Sequence, residues 1–281
     1  MQKEFKSDKM TIGIIGYGNI GHMICENLLK LNLINEDELI ISNRNIEKLN
    51  SLKEYYPNVK ITDDNKKLST EADKIIISVE SDDLLNVISE IKPNLNNTHI
   101  IHTCAGISFE EIENIYNGPI SLVIPSIASE FIESDNPQNG ISLIVHNDNV
   151  NFIDSSKLET LFNEFSYVKI LPDEEDIEIA TILTSCAPAY IGILVKKLSE
   201  FGFKHTNLDY DECKYLILKT LIGSSEVLLK NRASSDDNCD KLINTVCTPN
   251  GITEKGLNYL DLELDEIIEE LFDILLKTYK E

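Results

Sequence analysis

The stretch TIGIIGYGNIG, Thr11 to Gly21, decides how the rest of the chain is read. Its first half is a short, isoleucine-rich apolar run of strand length, and Ile20, Ile24, Leu28 and Leu31 then recur at helical spacing. GYGNIG, Gly16 to Gly21, fills the joint between them as a G-x-G-x-x-G. In that setting the first glycine permits the tight turn, the second lets backbone approach a pyrophosphate, and the third allows close packing of helix on strand. The helix N-terminus behind them offers unpaired N–H groups and the positive end of its dipole to an anion. Gly16, Gly18, Asn19, Ile20 and Gly21 are therefore read as a dinucleotide phosphate site. A ligand-free glycine turn would use the same letters, but the strand before and the helix after favour binding.

Working outward, ELIISN, NVKIT, KIIISV and THIIHT supply four more β-branched runs, separated by NIEKLNSLKEYY, DNKKLSTEA and DDLLNVISEIK, each long or periodic enough for a turn of helix. Continuous apolar strands interleaved with helices mark a parallel sheet covered on both faces. This predicts an α/β, doubly wound domain of Rossmann type. After PISLVIP, the run NGISLIVH reads as a further strand, FIDSSKLETLFNEF as a helix and YVKIL as a closing strand. Beyond Pro172 the pattern is helical only: Asp176 to Thr184, Tyr190 to Phe201, Tyr210 to Lys230 and Leu262 to Tyr279. The expected division is residues 1–172 for the nucleotide domain and 173–281 for an all-helical domain.

Composition limits the partners. The 281 residues hold 25 Lys and Arg against 48 Asp and Glu, a formal charge of −23 spread over both halves, which disfavours nucleic acid and anionic membrane. The six cysteines, Cys25, Cys104, Cys186, Cys213, Cys239 and Cys247, form no C-x-x-C pair, so neither a zinc site nor a disulfide framework is expected. MQKEFKSDKM lacks the apolar core of a signal peptide, and no apolar run approaches the ~18 residues of a membrane span, which places the chain in the cytoplasm. His22, His99, His102, His146 and His205 show no metal-ligand spacing; only His102 lies by the ligand-facing sheet edge, and no metal is expected.

The end of the second strand discriminates between cofactors. An NAD site usually presents a carboxylate about 20 residues beyond the glycines, whereas here stand Ser42, Asn43 and Arg44. A hydroxyl, an amide and a guanidinium suit a 2′-phosphate, the last by planar bidentate contact. Arg44 is one of only two arginines, with Arg232, and NADP is expected over NAD.

Three further stretches depart from scaffold composition. HTCAGIS, His102 to Ser108, follows the fifth strand at the edge where ligands of open α/β sheets bind. TSCAPAY, Thr184 to Tyr190, puts small residues and a proline at a helix junction. VCTPNGITEKGL, Val246 to Leu257, sets Pro249, Asn250 and Gly251 before Thr253, whose hydroxyl suits a helix cap, and such a helix start accepts a carboxylate.

GYGNIG, AGIS, APAY and TPNGIT, in this order, resemble the Δ1-pyrroline-5-carboxylate reductase family from about Lys9 to Lys280. The resemblance implies an NAD(P)-dependent oxidoreductase that reduces the cyclic imine to proline with NADPH. It implies an α-helical C-terminal dimerisation domain similar to that of 6-phosphogluconate dehydrogenase, and a homodimer or higher homo-oligomer with the site near the subunit interface. Thr253 would hydrogen-bond the ring nitrogen, while Thr248, Pro249, Asn250, Gly251 and Ile252 would bind the substrate carboxylate. Ser78, Val79, Ala105 and Gly106 would join the cofactor contacts. IPSIA, Ile124 to Ala128, and VES, Val79 to Ser81, depart from the family's usual M-P-N-x-P and V-K-P, and Asn250 stands for a glycine. I-P-S-I is shared with the late-competence-like branch. Two rival readings keep the fold: an NADP-dependent reductase of another imine or of a deazaflavin, and an NADP-binding regulatory homologue with little turnover.

Overall fold

The computed structural model describes residues 10–130, 140–230 and 238–280, so the segment before Met10 and Arg232 lie outside the described residues. Its chain divides into two compact units, Met1–Ser185 and Cys186–Glu281. The first is an eight-stranded sheet in the order β3-β2-β1-β4-β5-β6-β7-β8. The strands are β1 (Ile12–Ile15), β2 (Leu39–Ser42), β3 (Lys60–Thr62), β4 (Lys74–Ile77), β5 (His99–His102), β6 (Ile120–Pro125), β7 (Ile141–His146) and β8 (Tyr167–Ile170). Helices α1 (Asn19–Lys30), α2 (Asn50–Tyr55), α3 (Asn65–Glu71), α4 (Ser81–Ile91), α5 (Phe109–Glu113) and α6 (Phe152–Asn163) lie between strands. Neighbouring strands from β3 across to β6 pair in parallel, and the order reverses between β1 and β4, the topological switch point of a doubly wound sheet.

Two cores explain the apolar runs. Ile15, Ile40, Ile75, Ile77, Ile100, Ile120 and Leu122 face one layer with Leu84, Ile88 and Phe109. Ile12, Ile14, Leu39, Ile41, Ile76, Ile101 and Val123 face the other with Ile24, Leu28 and Phe162. Strands buried on both faces cannot alternate apolar with polar, so they read as nearly unbroken isoleucine. The sheet is not wholly parallel, as the strand pattern suggests it should be. β7 runs antiparallel to β6, because no crossover helix separates them among the described residues, while α6 carries the chain from β7 to a parallel β8.

One polar chain crosses the sheet far from the carboxyl edge. Lys74 Nζ lies 3.3 Å from His99 Nδ1, His99 Nε2 lies 2.7 Å from Ser121 Oγ, and that hydroxyl lies 2.7 Å from His146 Nδ1. Lys74 can only donate, so His99 donates from Nε2 to Ser121, and Ser121 donates to His146. Lys74 also pairs with Asp154 of α6, and His146 Nε2 lies 3.8 Å from Glu159. Burial, reinforced by the Lys74 charge, pushes His99 down to about 3, and burial also lowers His146. Both rings are therefore neutral in the fold and protonate more readily when unfolded. The unfolded chain binds more protons below about pH 6.5, so stability must fall as pH drops through that value. Ser121→Ala leaves His99 and His146 without their shared partner and is expected to cost about 1–3 kcal/mol at pH 7, read by urea denaturation. A wild-type midpoint in Ser121→Ala would contradict this account of the network.

α7 (Ile177–Thr181) still belongs to the first unit, since Ile177 joins its core. A π-helical segment, Ile182–Cys186, then leads into α8 (Ala187–His205), which carries Pro188 in its first turn. The second unit continues with α9 (Tyr210–Lys230), α10 (Asn238–Val246) and α11 (Ile252–Lys280). Asp209 and Glu212 exchange reciprocal backbone bonds of 2.8 Å that start α9. Gly202 allows α8 to approach Cys213 of α9, where an added Cβ would come within 3.0 Å of the sulfur. Among the described residues of this unit only Val195, Ser199 and Cys213 are buried, while Phe201, Leu216, Ile222, Leu262, Ile267 and Ile274 stand exposed. The run Glu174–His205 is long and apolar enough to cross a membrane by length and composition, contrary to the expectation that no stretch qualifies. No disulfide joins the six cysteines.

Candidate functional site

The carboxyl ends of β2, β1, β4 and β5 are neighbours in the sheet, and GYGNIG leaves the end of β1. Gly16 adopts φ +98°, a conformation that leaves room for no other residue because a Cβ there would strike the Ser78 carbonyl. A Cβ on Gly21 would strike the Gly16 carbonyl oxygen, so that glycine is set by the packing of α1 on β1. Gly18 is different: beyond its chain neighbours, an added Cβ meets no heavy atom of the described residues within 4 Å. The protein gives the backbone at Gly18 no reason to be bare, which fits a ligand that lies against it. Gly18, Asn19 and Ile20 are exposed, and no side chain caps the start of α1. These features fit a pyrophosphate held by the first-turn N–H groups.

The neighbouring loops are tied to this one. Gly16 N–H donates to the Ser42 carbonyl over 2.8 Å, and Ser78 N–H donates to the Ile15 carbonyl over 2.8 Å. Thr103 Oγ1 donates to Ser78 Oγ at 3.2 Å, and Ser81 Oγ donates to the Ala105 carbonyl at 2.9 Å. Val79 and Ala105 are half-buried, and Gly106 is exposed with φ +80°. Ser108 is occupied in a capping box with Glu111 that starts α5.

Two residues of the expected 2′-phosphate set are engaged elsewhere. Ser42 is buried and donates to Asn65 Oδ1 at 2.7 Å, so its hydroxyl is directed inward, a correction to its expected role. Asn43 accepts from Tyr17 N–H at 3.1 Å and donates to the Asn45 carbonyl at 2.7 Å, fastening the end of β2 to the glycine loop. Arg44 remains exposed, with Nη2 2.8 Å from Asp83 Oδ2 in the first turn of α4.

Neither His102 nor Cys104, the titratable pair at the carboxyl end of β5, is charged at neutral pH. His102 is fully buried, and burial pushes it down to about 4 against the opposing pull of a backbone contact at Cys104. Burial pushes the Cys104 thiol up to about 11. No metal-binding cluster of His, Cys, Asp and Glu occurs among the described residues.

In the second unit, TPNGIT forms the turn before α11. Asn250 adopts φ +60°, a left-handed conformation that asparagine tolerates better than most residues, which accounts for its place where a glycine is anticipated. The sequence suggests Thr253 as the helix cap, but α11 already begins at Ile252, placing Thr253 inside its first turn. The capping work falls to Glu254, whose carboxylate accepts from Asn250 N–H at 2.7 Å. Gly251 N–H donates to the Thr248 carbonyl at 2.8 Å. The N–H groups of Asn250 and Gly251 are therefore committed within the turn, which shifts the expected carboxylate donors to those of Ile252 and Thr253. Thr248, Pro249 and Thr253 are exposed, and Thr253 Oγ1 has no hydrogen-bond partner among the described residues.

Both units have known counterparts. The family model of NADP oxidoreductase, coenzyme F420-dependent, matches residues 11–106, and that of pyrroline-5-carboxylate reductase dimerisation matches residues 174–281. The pyrroline-5-carboxylate reductase of Methanobrevibacter smithii is 40% identical over 253 residues, spanning 90% of this chain and 97% of that protein. The chain belongs to the pyrroline-5-carboxylate reductase family. Within that family, pyrroline-5-carboxylate reductase 3 of Bacillus subtilis (strain 168) is 30% identical, covering 96% of this chain and 95% of its own. The pyrroline carboxylate reductase of Plasmodium falciparum, solved with NADP bound, shares the fold at a TM-score of 0.82 and 24% identity, over 96% and 97% of the two chains.

The exposed apolar side chains of α8, α9 and α11, and the apolar run Glu174–His205, fall inside the segment that matches the family's dimerisation model. IPSIA has a local explanation as well. Ser126 N–H donates to the Ile141 carbonyl at 2.7 Å and its Oγ accepts from Ile141 N–H at 3.0 Å, fastening β6 to β7. Sequence reasoning misses Ser81, Thr103, Asn65 and Asp83. Their partners lie 24, 25, 23 and 39 residues away, so only strand pairing brings them together.

Proposed function

We propose that the chain reduces 1-pyrroline-5-carboxylate to L-proline with NADPH, as a homo-oligomer joined through its helical unit. The observation that carries the reading is the bare, unobstructed backbone at Gly18 in a strand-loop-helix joint, in a chain whose second unit presents an unpartnered threonine hydroxyl at the start of α11. NADPH, when bound, supplies the hydride. The protein's part is to bind and align, because an imine that is already protonated needs no strong catalytic acid. Gly16, Gly18, Asn19, Ile20 and Gly21 hold the pyrophosphate through backbone N–H groups. Ser78, Val79, Ala105 and Gly106 shape the neighbouring wall, and Arg44 takes the 2′-phosphate. Thr253 Oγ1 accepts from the substrate's ring N–H, while the Ile252 and Thr253 N–H groups at the start of α11 take the substrate carboxylate, with Thr248 and Pro249 beside them. The neutral His102 and the undissociated Cys104 agree with a site that works without acid–base groups of its own.

A substrate panel tests this reading. NADPH oxidation is expected with 1-pyrroline-5-carboxylate and not with a deazaflavin or an acyclic imine. Turnover confined to another acceptor would replace the substrate, and tight NADPH binding without turnover on any of them would make the chain a nucleotide-binding regulator.

A further inference from the structure

We propose that Asp83 weakens this chain's preference for NADP by competing with the 2′-phosphate for Arg44. The inference deepens the cofactor reading above and rests on Arg44 being the phosphate ligand. With Ser42 buried and bonded to Asn65, and the half-buried Asn43 bonded to Tyr17 N–H and the Asn45 carbonyl, the guanidinium of Arg44 is the one group of the expected set that stands exposed with charge to offer. Its Nη2 lies 2.8 Å from Asp83 Oδ2. Arg44 leaves β2 and Asp83 stands in the first turn of α4 after β4, and these two strands flank β1. The pair therefore spans the strand whose end carries the glycine loop.

Arg44 is 85% exposed and Asp83 35%, so the cation is reachable while its partner is held by the helix. A 2′-phosphate bound by Arg44 either displaces the carboxylate from Nη2 or takes the guanidinium's other donors and sits near it, and both arrangements cost affinity. The uncharged 2′-hydroxyl of NAD meets neither penalty. Asp83 thus acts against NADP selectively, which no residue of the glycine loop can do.

Asp82, in the same turn but exposed and not paired with Arg44, supplies the control. Asp83→Asn is expected to tighten NADPH binding about three- to tenfold, in keeping with an exposed pair, with NADH binding changed less than about twofold. The gain should shrink as salt is raised. Asp82→Asn removes the same charge and is expected to change NADPH binding less than about twofold. Arg44→Ala should weaken NADPH and spare NADH. If Arg44→Ala binds NADPH like wild type, the phosphate role of Arg44 fails and the proposal fails with it. If Arg44→Ala weakens NADPH but Asp83→Asn does not tighten it, or Asp82→Asn tightens it equally, the proposal alone is overturned.

Discussion

Gly18→Val is expected to lower NADPH affinity at least about hundredfold while leaving the melting temperature within about 2 °C of wild type. The two halves of this prediction have separate origins. Gly18 has φ −83° and ψ −165°, an extended conformation open to valine, and a Cβ there meets no heavy atom of the described residues within 4 Å beyond its chain neighbours. Folding therefore has no stake in the glycine. A valine side chain would instead occupy the space where the pyrophosphate meets the start of α1, forfeiting several charge-assisted hydrogen bonds at about 1.5–3 kcal/mol each. Gly21→Ala provides the contrast, because its Cβ would collide with the Gly16 carbonyl and must disturb the packing of α1 on β1. Quenching of nicotinamide fluorescence measures binding, and a thermal melt measures the fold. A Gly18→Val protein that binds NADPH within a few-fold of wild type would remove the phosphate loop from the account.

Thr253→Ala is expected to lower turnover of 1-pyrroline-5-carboxylate about ten- to hundredfold with NADPH affinity unchanged. A hydrogen bond to a charged group is worth about 1.5–3 kcal/mol, and the ring nitrogen is charged only while the imine is protonated. The loss should fall mainly on kcat, since the bond matters most as the nitrogen is held for transfer. Thr253→Ser keeps the hydroxyl and should recover most of the rate. The hydroxyl is exposed and without a partner among the described residues, so its removal should not lower the melting temperature. An unchanged kcat in Thr253→Ala would show that the nitrogen is held elsewhere.

Much of this protein is legible because its strongest signals are local. TIGIIG and GYGNIG mark β1 and the turn into α1, and the isoleucine runs mark a sheet buried on both faces. The direction of β7 is not legible, since ISLIVH has the same composition in either orientation and only the absence of a crossover helix among the described residues separates the cases. α10 escapes notice because NCDKLINTV is short and rich in weak helix formers. The periodicity predicts α11 from Leu262, yet it starts at Ile252 and runs through Gly256, a residue that propensity alone would place at a break.

The site divides along the same line. The glycine loop and the TPNGIT turn are found from adjacent residues. The inward use of Ser42, the Asn43 tie to Tyr17 and the Arg44–Asp83 pair are not, because each joins residues from different strands or helices. Glu254 lies within reach of sequence reasoning: a glutamate at the third position of a helix commonly reaches back to the backbone ahead of it, here to Asn250 N–H. Its carboxylate takes the Asn250 N–H, while that of Gly251 goes to the Thr248 carbonyl.

The most direct test of the central claim follows the hydride itself. NADPH deuterated at nicotinamide C4 on the transferring face, incubated with 1-pyrroline-5-carboxylate and the purified chain, should yield L-proline with one deuterium at C5, one proline for each NADPH consumed. Proline formed without the label, or labelled cofactor consumed without proline, would contradict the account.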